Sequence, residues 1–421
     1  MSPSVLITDA EERAALAACR ALDAVGYEVV AAASRRPAVS HWSRSVSQRV
    51  TLPDPRDSVD LYIERLVDLL QSQHFDVLLP VAEASLLPIS ERRNVIEPYV
   101  RLGLPPHEVV CRAVDKLLLQ EEASAVDLAP PASIVCVDGA EAVAAASELG
   151  FPVLAKPARS FTEHGKGLKQ EVPRVVDDES ALLEAVAALG APLTVQAFVA
   201  GAGLVSFAGV RAAGELLGLT VARYQRTFPV RVGSASMALT IEPPGELTER
   251  VNALLGRIGW EGIFELELLE LGSGRYAAID LNPRPFGWMT LCAGAGANLA
   301  ALWCDRVLGR PAVSRPARAG VRYRWEDAEV RNMLIRLRGG DLGALGVLRP
   351  HLAVVHALFR LDDPGPLVAR LLFLAAEFLR RKRRGAPGEQ RGAKPRLQEP
   401  VSAEQPDAGQ RVGVGAKLAR P

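Results

Sequence analysis

Cysteine is scarce and poorly spaced for a cross-link or a metal cage: Cys19, Cys111, Cys136, Cys292 and Cys304 are odd in number and contain no Cys-x-x-Cys pair. Neither a disulfide framework nor a zinc site is expected, and a reducing compartment fits best. Net charge is also missing, since 49 basic side chains balance 49 acidic ones. A neutral chain exerts no general pull on nucleic acid or an acidic membrane, so a charged ligand must be held by a local cluster, and the expected partner is a small molecule rather than nucleic acid. The turn after the first apolar run has no Gly-x-Gly-x-x-Gly, which removes the main support for a dinucleotide site. There is no internal repeat, and no Ser-His-Asp or Cys-His arrangement that demands another chemistry. The start, Met1-Ser-Pro-Ser before Val5-Leu-Ile, lacks the basic leader and long apolar region of a signal peptide, so a cytoplasmic location is expected.

The chain has 421 residues, 49% hydrophobic and 23% charged, which suits an enzyme of two or three domains. Val5-Leu-Ile-Thr-Asp9, a helical pattern through Leu16, Cys19 and Val25, a strand at Tyr27 to Ala32, a helix from Ser58 to Gln73 and the run Phe75 to Pro80 predict a small doubly wound parallel-sheet domain over 1–110. A compact α+β lobe over 111–190 follows, with a helix around Lys116, strands at Ser133 to Val137 and Val153 to Lys156, and a helix from Gly139 to Leu149. Antiparallel strand signals run from Leu193 to Asn282, making 191–310 sheet-rich. A helical extension is expected over 311–380 and a disordered basic tail over 381–421. The stretch Leu367 to Leu379 is shorter than the roughly 20 apolar residues that span a bilayer. Beside the basic run it offers contact with anionic lipid as the minor reading, against a packing helix followed by a solubilising tail.

The strongest chemistry lies between Gly262 and Gly287, where a hairpin closes at Gly272-Ser-Gly274. With a side-chain period of two, Glu265 and Glu267 share one face of its first strand, and Asp280 and Asn282 one face of the second. Two carboxylates and an amide suit magnesium, a hard cation that keeps waters and phosphate oxygens in its shell. Single acidic residues on strands are more often a solvated face. That reading does not explain Asn-Pro-Arg directly after an apolar strand, where Pro283 fixes the turn and Arg284 offers a fork matched to phosphate.

Glu267, Asp280, Asn282 and Arg284 are similar to the metal-binding signature of the ATP-grasp family, with Asp280 where Glu is commoner. The resemblance implies an N-terminal Rossmann-like pre-ATP-grasp domain, a two-lobed ATP-grasp fold, and ATP with Mg2+ or Mn2+ as cofactors. Under it, Glu267, Asp280 and Asn282 hold the metal, Arg284 steadies the transferring phosphoryl group, and Glu265 supports them. Lys156, in Phe151-Pro-Val-Leu-Ala-Lys156-Pro157, and Lys116, in Val114-Asp115-Lys116, resemble the family's two phosphate-binding lysines. A buried ammonium at a strand end needs an anion, which a phosphate supplies. The loop after Lys156 carries Gly165 and Gly167, which let backbone amides approach phosphate and a lid move. The hinge Val195-Gln196-Ala197-Phe198-Val199 resembles the segment that offers adenine its backbone, with Ala197 where other members often have glutamate. Arg223, Arg226, Ser234 and Ser236 are similar to a basic strand and Gly-Ser turn of the carbamoyl-phosphate-synthase-like branch, which implies a substrate pocket with Arg226 also catalytic.

The resemblance covers roughly 1–310 and implies a carboxylate-amine ligase that forms an acyl phosphate and then an amide from a small carboxylate and an amine. A carboxylating or phosphotransfer enzyme and a nucleotide-binding protein without turnover remain as alternatives. His74, His107 and His164 are available to help deprotonate the amine, and none is singled out. The identity of the substrates and the oligomeric state are not readable.

Overall fold

The computed structural model of the chain describes residues 2–34, 38–230, 232–348 and 354–383. The expected tail lies, from residue 384 on, outside the described residues.

The first unit is a parallel sheet in the order Gln48–Thr51, Glu28–Ala33, Ser4–Ile7, Val77–Leu79. Its strands Glu28–Ala33, Ser4–Ile7 and Val77–Leu79 are almost wholly buried, as continuous apolar strands covered on both faces must be. Parallel neighbours require crossovers, supplied here by the helices Arg13–Asp23 and Val59–Ser72. Ser58 caps the second of these by accepting from the Leu61 amide. The helix Glu83–Glu91 begins just past the strand Val77–Leu79, so Glu83 stands at the carboxyl end of the sheet, where open α/β sheets bind ligands.

An antiparallel sheet follows, ordered Ser133–Cys136, Leu193–Ala197, Val153–Pro157, Arg174–Val176. Its apolar residues pack on the helices Gly139–Leu149 and Glu179–Leu189, capped by Asp138 and Asp178. The loop expected after Lys156 is instead a hairpin, Phe161–His164 with Gly167–Gln170. Its polar, glycine-broken sequence carries no alternating apolar face, which is why it reads as a loop.

The third sheet has seven strands in the order Tyr276–Asn282, Gly262–Glu270, Gly203–Ala212, Glu215–Phe228, Ser234–Ile241, Arg322–Arg324, Val354–His356. The last two come from the extension expected to be helical, a correction to the sequence reading. Three-residue strands are too short for a period of two to register. The rest of that extension is helical, at Glu326–Arg338 and Gly365–Arg383. It folds back on the first unit, where Arg20 Nε meets Asp363 Oδ2 at 2.9 Å with both side chains buried. Among the described residues no helix is long and apolar enough to cross a membrane.

Candidate nucleotide and metal site

The strands Gly262–Glu270 and Tyr276–Asn282 pair so that Glu267 stands opposite Asp280 and Glu265 opposite Asn282. All four side chains therefore share one face, as the alternation predicts. The turn between the strands has positive φ at Gly272, Ser273 and Gly274, closed by the Leu271 amide on Arg275 O at 3.0 Å.

Glu265 is buried and fully partnered. Its Oε1 accepts from Ser206 Oγ at 3.2 Å, from Tyr224 Oη at 2.9 Å and from Trp288 Nε1, and its Oε2 from Asn282 Nδ2 at 3.2 Å. These bonds fit it to a supporting role: it orients Asn282 and Tyr224. Tyr224 Oη also lies 2.8 Å from Glu267 Oε1 and accepts from Trp288 Nε1 at 3.0 Å. One phenolic proton cannot serve two carboxylates, so a second proton is shared across the pair. Burial, then the charges of Glu265 and Asp280, accordingly push Glu267 well above the usual carboxylate range.

The lysines arrive from two elements. Asp115 caps the helix Lys116–Ser124 by accepting from the Leu117 and Leu118 amides, and the Lys116 amide donates to Ala158 O at 3.1 Å. That frame sets Lys116 Nζ 3.1 Å from Asp280 Oδ1. Burial opposes its charge, but Asp280, with Glu83 and Glu267, offsets this and holds its pKa above the ordinary lysine value. Lys116 is thus buried beside Asp280 and not part of a solvated helix surface. Lys156 Nζ donates to Ile279 O at 3.0 Å and has no carboxylate at ion-pair distance among the described residues. Burial, then the neighbouring Lys116, lowers its pKa to about 8. Arg284 donates to Asn282 Oδ1 at 2.8 Å and to Pro285 O at 3.0 Å, while its buried Nε has no acceptor.

Other expected residues lie elsewhere. Arg223 meets Glu270 at 3.2 Å, on the face opposite its neighbour Tyr224 and hence away from the carboxylates. Arg226 and Ser236 do lie together, but both bind the wholly buried Glu329 of the extension, with Ser236 Oγ 2.8 Å from its Oε1. Arg226 therefore brings no unopposed charge. Ser234 is exposed at the strand start. In the hinge, Gln196 Nε2 donates to Ser133 Oγ at 2.9 Å and the Ala197 amide to Ala132 O at 2.8 Å, so both hold the small sheet together, and Phe198 and Val199 follow it. Gly165 has φ +61° at the hairpin tip. Gly167 packs against the first unit: the Leu168 amide donates to Arg56 O at 3.2 Å and the Val59 amide to Lys166 O at 2.9 Å. His74 lies by Asp76, His107 by Ser90 and Cys111, and exposed His164 is on the hairpin, so none of these three imidazoles is held against the carboxylates.

Sequence reasoning missed Tyr224, Trp288, Ser206 and Glu83. Glu83 is buried with Oε1 unpartnered, and burial raises its pKa against the pull of Arg284 and Lys116, which places it among the site residues from another unit. Its only sequence signal is an acid directly after an apolar strand.

The donor set suits magnesium bound with phosphate. Among the described residues no three carboxylate, imidazole or thiolate groups gather as a complete cage. Opposed Glu267 and Asp280, an amide oxygen and two lysines leave positions for waters and phosphate oxygens, which is how this ion is usually held. Burial and then the repulsion of Glu265 and Asp280, which together raise the Glu267 pKa, are what a divalent cation would offset.

No family model matches the chain. A segment of 155 residues is 32% identical to the carbamoyl phosphate synthase large chain of Archaeoglobus fulgidus, covering 36% of this chain and 14% of that protein. The chain thus matches only a small part of the length of that curated relative. An ADP complex of N5-carboxyaminoimidazole ribonucleotide synthetase is similar with TM-score 0.59 and 12% identity, covering 80% of this chain and 86% of that one. The L-amino acid ligase of Bacillus licheniformis is similar with TM-score 0.56 and 14% identity, covering 73% and 74%. These likenesses show that the chain has the ATP-grasp fold, with Glu267 opposite Asp280 and Lys116 paired to Asp280 on one face of its large sheet.

Proposed function

We propose that the chain is an ATP- and magnesium-dependent, ADP-forming carboxylate-amine ligase acting on small molecules in the cytoplasm. Residues 1–110 are read as a Rossmann-like pre-ATP-grasp domain, 111–190 as the small lobe and 191–310 as the large lobe. The observation that carries the reading is the registered pair Glu267 and Asp280 with Lys116 at 3.1 Å and Lys156 one residue away at Ile279. An ADP complex among the similar structures supports the nucleotide, and the L-amino acid ligase supports the reaction class.

Glu267, Asp280 and Asn282 would hold the magnesium, which when bound neutralises charge on the phosphates. Lys116 and Lys156 bind phosphate oxygens, and Arg284, steadied by Asn282, meets the charge that develops as phosphoryl moves. The substrate carboxylate oxygen bonds to the γ-phosphorus as ADP leaves. The amine nitrogen then bonds to the carbonyl carbon of the acyl phosphate, phosphate departs, and the nitrogen gives up its proton. The hairpin Phe161–Gln170, held against the first unit, excludes water from that intermediate.

Magnesium-dependent ADP release across carboxylates, with and without amines, tests the reading. Release that requires both substrates and drops by at least about 1,000-fold in Lys156→Ala and Asp280→Ala is expected from the loss of such charge stabilisation. Release with bicarbonate alone would replace it by a carboxylating reaction. ATP binding without release over the whole panel would favour a protein without turnover.

A further inference from the structure

A cation without a carboxylate partner sits against Gly287. Arg13 opens the helix Arg13–Asp23, and its guanidinium carbon sits 3.3 Å from the centroid of the Trp325 ring. Its Nη1 donates to Tyr323 Oη at 3.0 Å, and Tyr323 Oη donates to Gly287 O at 3.1 Å. A Cβ on Gly287 would stand 2.8 Å from Arg13 Nη2, so the bare backbone there is what lets the guanidinium reach the loop that carries Arg284.

The guanidinium is fixed but not neutralised. Among the described residues no carboxylate lies within ion-pair distance of it, and the two acids that follow Trp325 are engaged elsewhere. Glu326 accepts from the Leu358 and Phe359 amides, and Asp327 pairs with Arg370 at 2.6 Å. A ring face and a phenol orient a cation without cancelling its charge. Trp325 Nε1 and, three residues before Gly287, Arg284 Nε are buried and lack acceptors. Buried donors left unpaired cost free energy that an acceptor ligand would recover. Arg226, the arginine expected from sequence to hold the acid, is instead matched by Glu329.

We propose that this corner is an anion subsite in which Arg13, over Trp325 and against the loop that carries Arg284, takes an oxyanion of the acid substrate other than the carboxylate being activated. The substrate is then a dianion, carrying a second carboxylate or a phosphate. The assignment of that anion to a substrate rests on the ligase reading above; the subsite itself does not.

The test uses the full chain and two readouts. Tryptophan fluorescence is titrated with succinate and with inorganic phosphate in the wild type, Arg13→Met and Trp325→Phe. A saturable change in the wild type that both variants lose is expected, and the stronger of the two anions tells a carboxylate from a phosphate subsite. ADP release is then compared between dicarboxylates and their half-amides. In Arg13→Met, KM for the dianion should rise on the order of 10- to 100-fold, as for loss of a charge-assisted hydrogen bond, with kcat changed far less and the preference over the half-amide gone. Arg13→Gln, which keeps a donor for Tyr323, is the parallel variant should Arg13→Met not fold. An identical anion response in the wild type and a folded Arg13 variant overturns the subsite. An Arg13-dependent response without ADP release for any acid upholds the subsite and overturns the ligase reading.

Discussion

Lys156 and Glu267 make opposite demands on pH. Burial and Lys116 bring the ammonium down to about 8, while burial, Glu265 and Asp280 push Glu267 up to about 8. Phosphate needs Lys156 charged, which fails above its value, and metal needs Glu267 ionised, which fails below its value. The kcat/KM for ATP with magnesium reports the free enzyme. It is expected to peak near pH 8 and to fall about tenfold per pH unit on both sides. In Lys156→Arg, whose charge persists, only the alkaline limb should vanish; a retained alkaline limb would assign it to another group. That Glu267, Asp280 and Asn282 share a face was legible because strand alternation fixes it. Tyr224 and Trp288 were not, since their partnership with Glu265 spans 41 and 23 residues and exists only after the sheet forms. The ion pair of Arg226 was hidden for the same reason: its partner Glu329 lies 103 residues on.

At the scale of elements, the hairpin Phe161–His164 with Gly167–Gln170 depends on one missing side chain. A Cβ on Gly167 would lie 2.0 Å from Arg56 O, a backbone atom with no freedom to swing aside. Gly167→Val should undock the hairpin from residues 56–59 and leave both sheets intact. Faster proteolysis within 161–170, a several-fold higher KM for ATP and an unchanged melting temperature are expected, measured by limited digestion, steady-state kinetics and calorimetry. The two glycines were visible in the sequence, but their environment was not: a composition suited to mobility serves here a close backbone approach. The helix Gly139–Leu149 was read with the ends it has, because cap and period agree, whereas the strand expected from Leu216 to Arg223 runs on to Phe228. The short strands Arg322–Arg324 and Val354–His356 had neither signal and are defined only by the neighbour they extend.

Across the whole molecule, the first helix and the last segment hold each other through Arg20 and Asp363. Asp363 also accepts from Ser43 Oγ at 2.6 Å and from the Arg44 amide at 3.0 Å, and Arg20 donates to Leu358 O at 2.9 Å. Burial alone would raise the Asp363 pKa, but Ser43, the Arg44 amide and Arg20 hold it below the ordinary 3.8. Its folded value is depressed, so its stabilisation is complete above that ordinary value and is lost as pH falls through the lower one. Asp363→Ala leaves Arg20 charged and buried, and should cost about 3–5 kcal/mol, read as a lower denaturant midpoint at neutral pH. No change in that midpoint would mean that the clasp contributes nothing to stability. This closure also orders events during synthesis. Arg20 leaves the ribosome 343 residues before its partner. Until residue 363 is made the parallel-sheet unit therefore carries an unanswered cation on the face that the later segment covers, and a nascent chain stalled short of residue 363 presents that unfinished face to whatever chaperone waits at the exit.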